Sequence, residues 1–267
     1  MESMVKLTKK QQKQIHYYIR HKDEGKSKQD LIHGREVPKF IEKHLPYIRR
    51  LARNLDQLLI VGSFVSPPLK TGLIDRFLIL TEIESLEPLI CFNKTDLLQD
   101  KNEGKEIAEV YKSIGYKTLL TSAKKKTGIT RLARLLKGKR TALAGHSGVG
   151  KSSLLNAIDP NLKISVQEVS DSTGKGRHTT TKVRIYKLQE STDVIDLPGI
   201  KLVDFIDIHP HDARFYFREF EQISEECKFR DCQHITENKC AVKEAVSAGT
   251  IYPQRYESYL NFVESLS

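Results

Sequence analysis

The stretch Thr141–Ile158, TALAGHSGVGKSSLLNAI, sets an apolar run, a glycine-rich loop and a helix-like run in succession. Within it Gly145, His146, Ser147, Gly148, Val149, Gly150, Lys151 and Ser152 complete the pattern G-x-x-x-x-G-K-S. Glycines at these places let the backbone curl until its N–H groups point at phosphate oxygens, at the positive end of the following helix. The pattern assigns Lys151 to the β- and γ-phosphates, the Ser152 hydroxyl to a magnesium ion and Ser153 to the α-phosphate. A chance glycine-rich turn would lack this strand before it and this helix after it. His146, inside the loop, reads as structural.

Earlier in the chain stands NKTD, Asn93 to Asp96, at the end of another apolar run. Guanine presents two donors side by side, N1–H and N2–H₂, where adenine offers no such pair, so one carboxylate discriminates between them. Asp96 is that carboxylate. Asn93 is expected to tie neighbouring loops and reach the base, and the aliphatic stem of Lys94 to lie over its face. The second half of the base site is TSAKKKTG, with Ser122, the Ala123 N–H directed at guanine O6, and Lys124 covering the ring. A P-loop ATPase or small-molecule kinase conflicts with Asp96. Downstream, DLPG places Asp196 at a strand end to hold a magnesium-bound water and the Gly199 N–H at the γ-phosphate. The polar stretch VSDSTGKGRHTTT contains a threonine to complete the metal shell, Thr180 by preference, with Thr179 and Thr181 as alternatives.

Short apolar runs (QLLIVG, EPLICFN, YKTLLTS, RTALAG, KVRIYKL, TDVIDLPG) alternate with amphipathic stretches around Leu73–Leu80 and Ile107–Ile114 and with TGITRLARLLK. Such alternation implies an α/β fold, a mostly parallel sheet with crossover helices. Three segments are expected: 1–53, basic and helical; 54–205, the nucleotide-binding domain; and 206–267, ending in helices near 241–248 and 253–265. Residues 1–53 carry nine Lys and five Arg against six Asp or Glu, which is +8 of the chain's +10. A segment so charged attracts polyanions, RNA or DNA above all, although a solvated surface has the same composition. No run approaches the roughly 18 to 20 apolar residues that span a bilayer, and MESMVKLTKKQQKQ lacks the apolar core of a signal peptide. A cytoplasmic protein with no membrane association is expected.

Three of the four cysteines crowd beside a histidine in the spacing C-x4-C-x-H-x5-C, Cys227, Cys232, His234 and Cys240. Four such ligands suit tetrahedral Zn²⁺ with no open position, hence a structural site. Free thiols are the bland alternative. A small loop-rich module has too little core to hold itself, so the metal would supply much of its folding energy. Cys91 lies apart in an apolar run and reads as core.

The order NKTD, SAK, GHSGVGKSS, GRHTTT, DLPG resembles the circularly permuted GTPases of the RsgA (YjeQ) family, and CKFRDCQHITENKCAVKEAV with RYESYL resembles that family's C-terminal zinc module. The likeness covers about residues 54 to 265. It implies a GTP hydrolase stimulated by the small (30S) ribosomal subunit and its 16S rRNA, acting late in subunit maturation, with GTP or GDP setting release, and working as a monomer. Two departures stand out. Only a short segment precedes the GTPase region where family members carry an OB-fold barrel, and TENKC lacks the glycine common in the zinc loop. Many GTPases position the attacking water with a glutamine after D-x-x-G; here Ile200 stands there, a replacement that also resembles the family. His178 is the candidate for that role, or else a surface histidine that bonds only its own loop. A GTP-gated RNA-binding scaffold with incidental hydrolysis is the alternative function.

Overall fold

The computed structural model describes residues 55–165, 184–188, 191–196 and 208–266. The expectations for residues 1–53, His178, Thr179 to Thr181, Gly199 and Ile200 fall outside the described residues.

Six strands form one sheet: β1 (Gln57–Ser63), β2 (Glu87–Asn93), β3 (Lys117–Leu120), β4 (Arg140–Ala144), β5 (Arg184–Leu188) and β6 (Thr192–Asp196), in the order β3-β2-β1-β4-β6-β5. All neighbours are parallel except β5, which runs antiparallel to β6. β1 lies between β2 and β4, and all seven of its residues are buried. That explains its near-continuous apolar sequence, because both faces of a central parallel strand are covered.

The period-2 alternation of strand side chains sorts the core into two layers. Leu58, Ile60, Ile90 and Phe92 pack on α1 (Thr71–Glu84) and α2 (Lys101–Ser113). Leu59, Val61, Leu89 and Cys91 pack on α3 (Ile129–Leu136) and α4 (Lys151–Ile158). Burial pushes the Cys91 thiol up to about 12, so this cysteine is an inert core residue. Asp100 caps α2 by accepting the Asn102 N–H at 2.8 Å.

A helical layer follows the sheet: a 3₁₀ turn at Pro210–Tyr216, α5 (Phe220–Ile223), α6 (Ala241–Ser247) and α7 (Pro253–Ser265), with Pro253 in the first turn of α7 where its missing N–H is harmless. Phe217, Phe220, Tyr259 and Phe262 form its core, and Ile79 of α1 completes it. α1 is thus covered by the sheet on one side and by α7 on the other.

Across this contact runs a buried ionic cluster. Arg255 Nη1 donates to Asp75 Oδ1 at 2.6 Å, and its Nε and Nη2 donate to Glu219 at 2.6 and 3.0 Å. Tyr111 OH donates to the same Asp75 oxygen at 2.9 Å, and the guanidinium lies 4.8 Å from the Phe217 ring centroid. Burial pulls the Arg255 pKa down, but the carboxylates of Asp75 and Glu219 outweigh it and hold the group protonated. Removing one partner strands the others in a low dielectric. Arg255→Ala is therefore expected to lower unfolding free energy by about 3–5 kcal/mol in urea titration of the full chain. A loss under about 1 kcal/mol would match a solvent-exposed pair and contradict this account.

Candidate functional site

Parallel strands deliver their following loops to one edge of the sheet, and there three loops converge on Asn93. The Asn93 side chain is 1% exposed. Its Nδ2 donates to Val149 O at 3.0 Å in the loop after β4, and its Oδ1 accepts the Ala123 N–H at 3.1 Å and the Thr121 hydroxyl at 3.3 Å in the loop after β3. Thr95 adds a second tie, its N–H and hydroxyl both donating to Thr121 O at 3.1 and 3.0 Å. NKTD, SAK and the glycine-rich loop therefore meet in space although the chain visits them in permuted order.

The glycine-rich loop needs two of its glycines for close approach. A Cβ on Gly145, at φ 136°, would stand 2.2 Å from Val61 O, and one on Gly150, at φ 92°, would stand 2.4 Å from Asn93 Nδ2. Lys151 Nζ donates to Gly145 O at 2.8 Å and His146 O at 3.2 Å, so its ammonium sits over the loop. His146 Nδ1 lies 2.8 Å from the adjacent Ser147 O. Ser152 and Ser153 begin α4, half-buried. Asp196 ends β6 opposite Leu143, in register with the strand that feeds this loop.

On the base side, Asp96 lies in a 3₁₀ turn, Thr95–Leu97, and the Ser122 hydroxyl donates to its Oδ1 at 2.5 Å. That bond fixes the orientation of the carboxylate. Ser122 and Thr127 close the SAK loop by exchanging backbone hydrogen bonds, leaving Lys124 exposed at its tip. Two further contacts lie here: the Ala123 amide donates to Asn93 Oδ1, and the Lys94 ammonium donates to Ser66 O at 2.7 Å, bracing the loop between β1 and α1.

The second candidate site is the cluster Cys227, Cys232, His234 and Cys240, whose ligand atoms all lie within 4.8 Å of one another. Around a tetrahedral ion with bonds of about 2.3 Å to sulfur and about 2.0–2.1 Å to nitrogen, ligand atoms stand ~3.8 Å apart for two sulfurs and ~3.6 Å for sulfur and nitrogen. Cys227 Sγ and Cys240 Sγ are 4.0 Å apart, and His234 Nδ1 lies 3.6 and 3.4 Å from them. The residues thus fit such an ion. Burial, reinforced by Arg214, pulls the His234 pKa down to about 4 and keeps the ring a neutral ligand, while burial pushes the Cys232 thiol up to about 12. A bound divalent ion would reverse the thiol shift by taking thiolates. The knuckle is fixed from outside: Tyr256 OH donates to His234 O at 2.6 Å, Tyr259 OH to Gln233 O at 2.5 Å, and Glu237 accepts the Gln233 and Ile235 amides at 2.6 and 2.9 Å.

Sequence reasoning missed the residues that join the two sites. Asp75 sits in an apolar stretch, LIDRFLIL, and a lone acid in such a run was the available signal; nothing local connects it to Arg255. Ser66, which the Lys94 ammonium holds, carries no signal.

A sequence profile described as RsgA GTPase matches residues 38–206. The small ribosomal subunit biogenesis GTPase RsgA of Bacillus velezensis is 42% identical over 223 residues, covering 82% of this chain and 75% of that protein. Its namesakes from Thermotoga neapolitana and Haemophilus influenzae are 43% and 39% identical, covering 80% and 89% of this chain and 72% and 69% of theirs. Among solved structures, YjeQ from Thermotoga maritima superposes with a TM-score of 0.67 at 39% identity, over 80% of this chain and 72% of its own. YloQ, described as a circularly permuted GTPase, gives 0.64 at 38% identity, over 80% and 68%.

Asn93→Ala would leave the Val149 carbonyl and the Ala123 amide unpaired beside a small cavity. The expected loss is about 1–3 kcal/mol per stranded group, read as a lower midpoint in denaturant for the full chain.

Proposed function

The chain belongs to the RsgA GTPase family, and from that premise we propose that it hydrolyses GTP on the small ribosomal subunit during that subunit's biogenesis. The junction at Asn93 carries the reading, because it supports one continuous site for base and phosphates. Asp96, oriented by Ser122, accepts from guanine N1–H and N2–H₂, with Lys94 and Lys124 flanking the ring and Ala123 lining its edge. The amides of Gly145 to Gly150, with Lys151, Ser152 and Ser153, hold the phosphates.

Ser152, with Thr180 or a neighbouring threonine, offers the hard oxygen donors that magnesium takes, and Asp196 would hold a water bound to that ion. Bound there with GTP, the ion would offset charge on the β- and γ-phosphate oxygens. Gly199 senses the γ-phosphate, and His178 positions the attacking water where Ile200 has no hydrogen-bonding group. Zinc is the ion proposed for Cys227, Cys232, His234 and Cys240; with all four positions filled by protein it is structural. The expected setting is the cytoplasm, with 16S rRNA as the contacted polymer and a monomer as the acting form. No helix among the described residues is long and apolar enough to cross a membrane.

GTP turnover by the full chain, measured with and without isolated 30S subunits, tests the proposal. Subunits are expected to raise kcat, and a kcat indifferent to them would leave a GTP-gated scaffold instead. His178→Ala is expected to reduce the stimulated kcat by about 10²-fold or more at unchanged GTP affinity. An unchanged kcat removes His178 from the mechanism. Native mass spectrometry of fresh protein is expected to find one zinc ion per chain, and chelation to melt the region around α6 and α7 first. Metal-free protein with that region intact would refute the zinc assignment.

A further inference from the structure

Between Lys117 and Ile158 the chain carries ten Lys or Arg and no Asp or Glu. Five of the ten are engaged: Lys117 and Lys139 with Glu87, Arg140 with Asp193, Lys151 with the loop carbonyls, and Lys137 with a neighbour of its own. Lys124, Lys125, Lys126, Arg131 and Arg134 are exposed, and the described residues show no ion pair to any of them. Ile129, Leu132 and Leu136 bury the other side of α3 against the sheet, so the packing of α3 itself holds Arg131 and Arg134 outward. Two arginines three apart on a helix repel each other with no acid to offset them. α2, on the opposite face of the sheet, mixes Glu103, Glu106 and Glu109 with its lysines.

We propose that this face, from the rim of the base site along α3, docks the phosphate backbone of RNA. Two other anionic partners fit less well. A membrane surface calls for apolar side chains beside the cations, and a protein partner for an aromatic or aliphatic anchor. The exposed large hydrophobics among the described residues, such as Val65, Phe215 and Phe229, all lie outside residues 123–140. What remains is uncompensated charge, which matches a polyphosphate backbone. That the RNA belongs to the small ribosomal subunit rests on the proposed function; the chemistry of the surface does not.

The test compares the full chain with R131Q/R134Q and with the charge-preserving R131K/R134K, leaving Lys124 untouched because it borders the base. Binding to a labelled RNA hairpin and to isolated 30S subunits is measured across a salt series, with subunit-free GTPase activity as the check on folding. The glutamine pair is expected to bind RNA roughly tenfold or more weakly, with the slope of log K against log salt reduced by roughly 1.4 to 1.8, that is about 0.7 to 0.9 per lost phosphate contact. The lysine pair should bind within a fewfold of the parent, and basal turnover should be the same in all three. Unchanged affinity and slope in the glutamine pair would overturn the proposal. So would equal weakening toward a polyglutamate probe that competes with the hairpin, since that would make the partner an acidic protein. If the parent chain binds the hairpin through these arginines yet ignores 30S subunits, the surface stands and the proposed function falls. The reverse pattern, with strong 30S binding indifferent to the arginines, removes the surface and leaves the function.

Discussion

One side-chain amide holds the nucleotide edge of this protein together. Asn93 uses its nitrogen on the loop after β4 and its oxygen on the loop after β3, while its own backbone ends β2. An amide is suited to this because it offers donor and acceptor ends in one rigid plane. Aspartate would set an oxygen against the Val149 carbonyl. The same contact dictates the residue opposite it: Gly150 lacks a Cβ because Asn93 occupies the place where one would stand. Bonds of this kind relate neighbours in space and are indifferent to chain order, so the base-reading loops can precede the phosphate loop without altering the site.

Much of this was legible in the sequence, and for a physical reason. Central parallel strands are covered on both faces, so β1, β2 and β4 appear as short uninterrupted apolar runs, and the loops between them stand out by their glycines and polar residues. The metal cluster announced itself because its ligands are close in sequence as well as in space. Asp75 and Arg255 are close in space alone. They are separated by 180 positions, and the lone acid in its apolar run names no partner. α1 read as an ordinary amphipathic helix, whereas its second side is buried beneath α7; Asp75 belongs to that side and is polar only because Arg255 and Tyr111 await it there. The reversal of β5 was likewise hidden, since strand direction leaves no mark on a five-residue pattern.

The cysteine and histidine knuckle and the ionic cluster serve one another. Tyr256 and Tyr259 of α7 hold the backbone of the knuckle, and Arg255, on the same helix, holds α1. A single helix thus connects the candidate metal centre to the nucleotide-binding sheet. The loop leading into α1 is in turn braced by the Lys94 ammonium at the base site. The result is a continuous set of contacts from one site to the other.

The length of the Asp75–Arg255 connection has a consequence for how the molecule is made. Synthesis delivers β1, α1, β2, α2 and β3 first, a contiguous half-sheet whose β1 edge stays open until β4 arrives to pair with it. α1 must wait longer still: its carboxylate leaves the ribosome 180 residues before the guanidinium that neutralises it. Throughout that interval the outer side of α1 remains in water with Asp75 hydrated, and the helix can close only when α7 has been translated. The nascent protein therefore completes its buried charge pair well after the half-sheet that carries Asp75 has emerged.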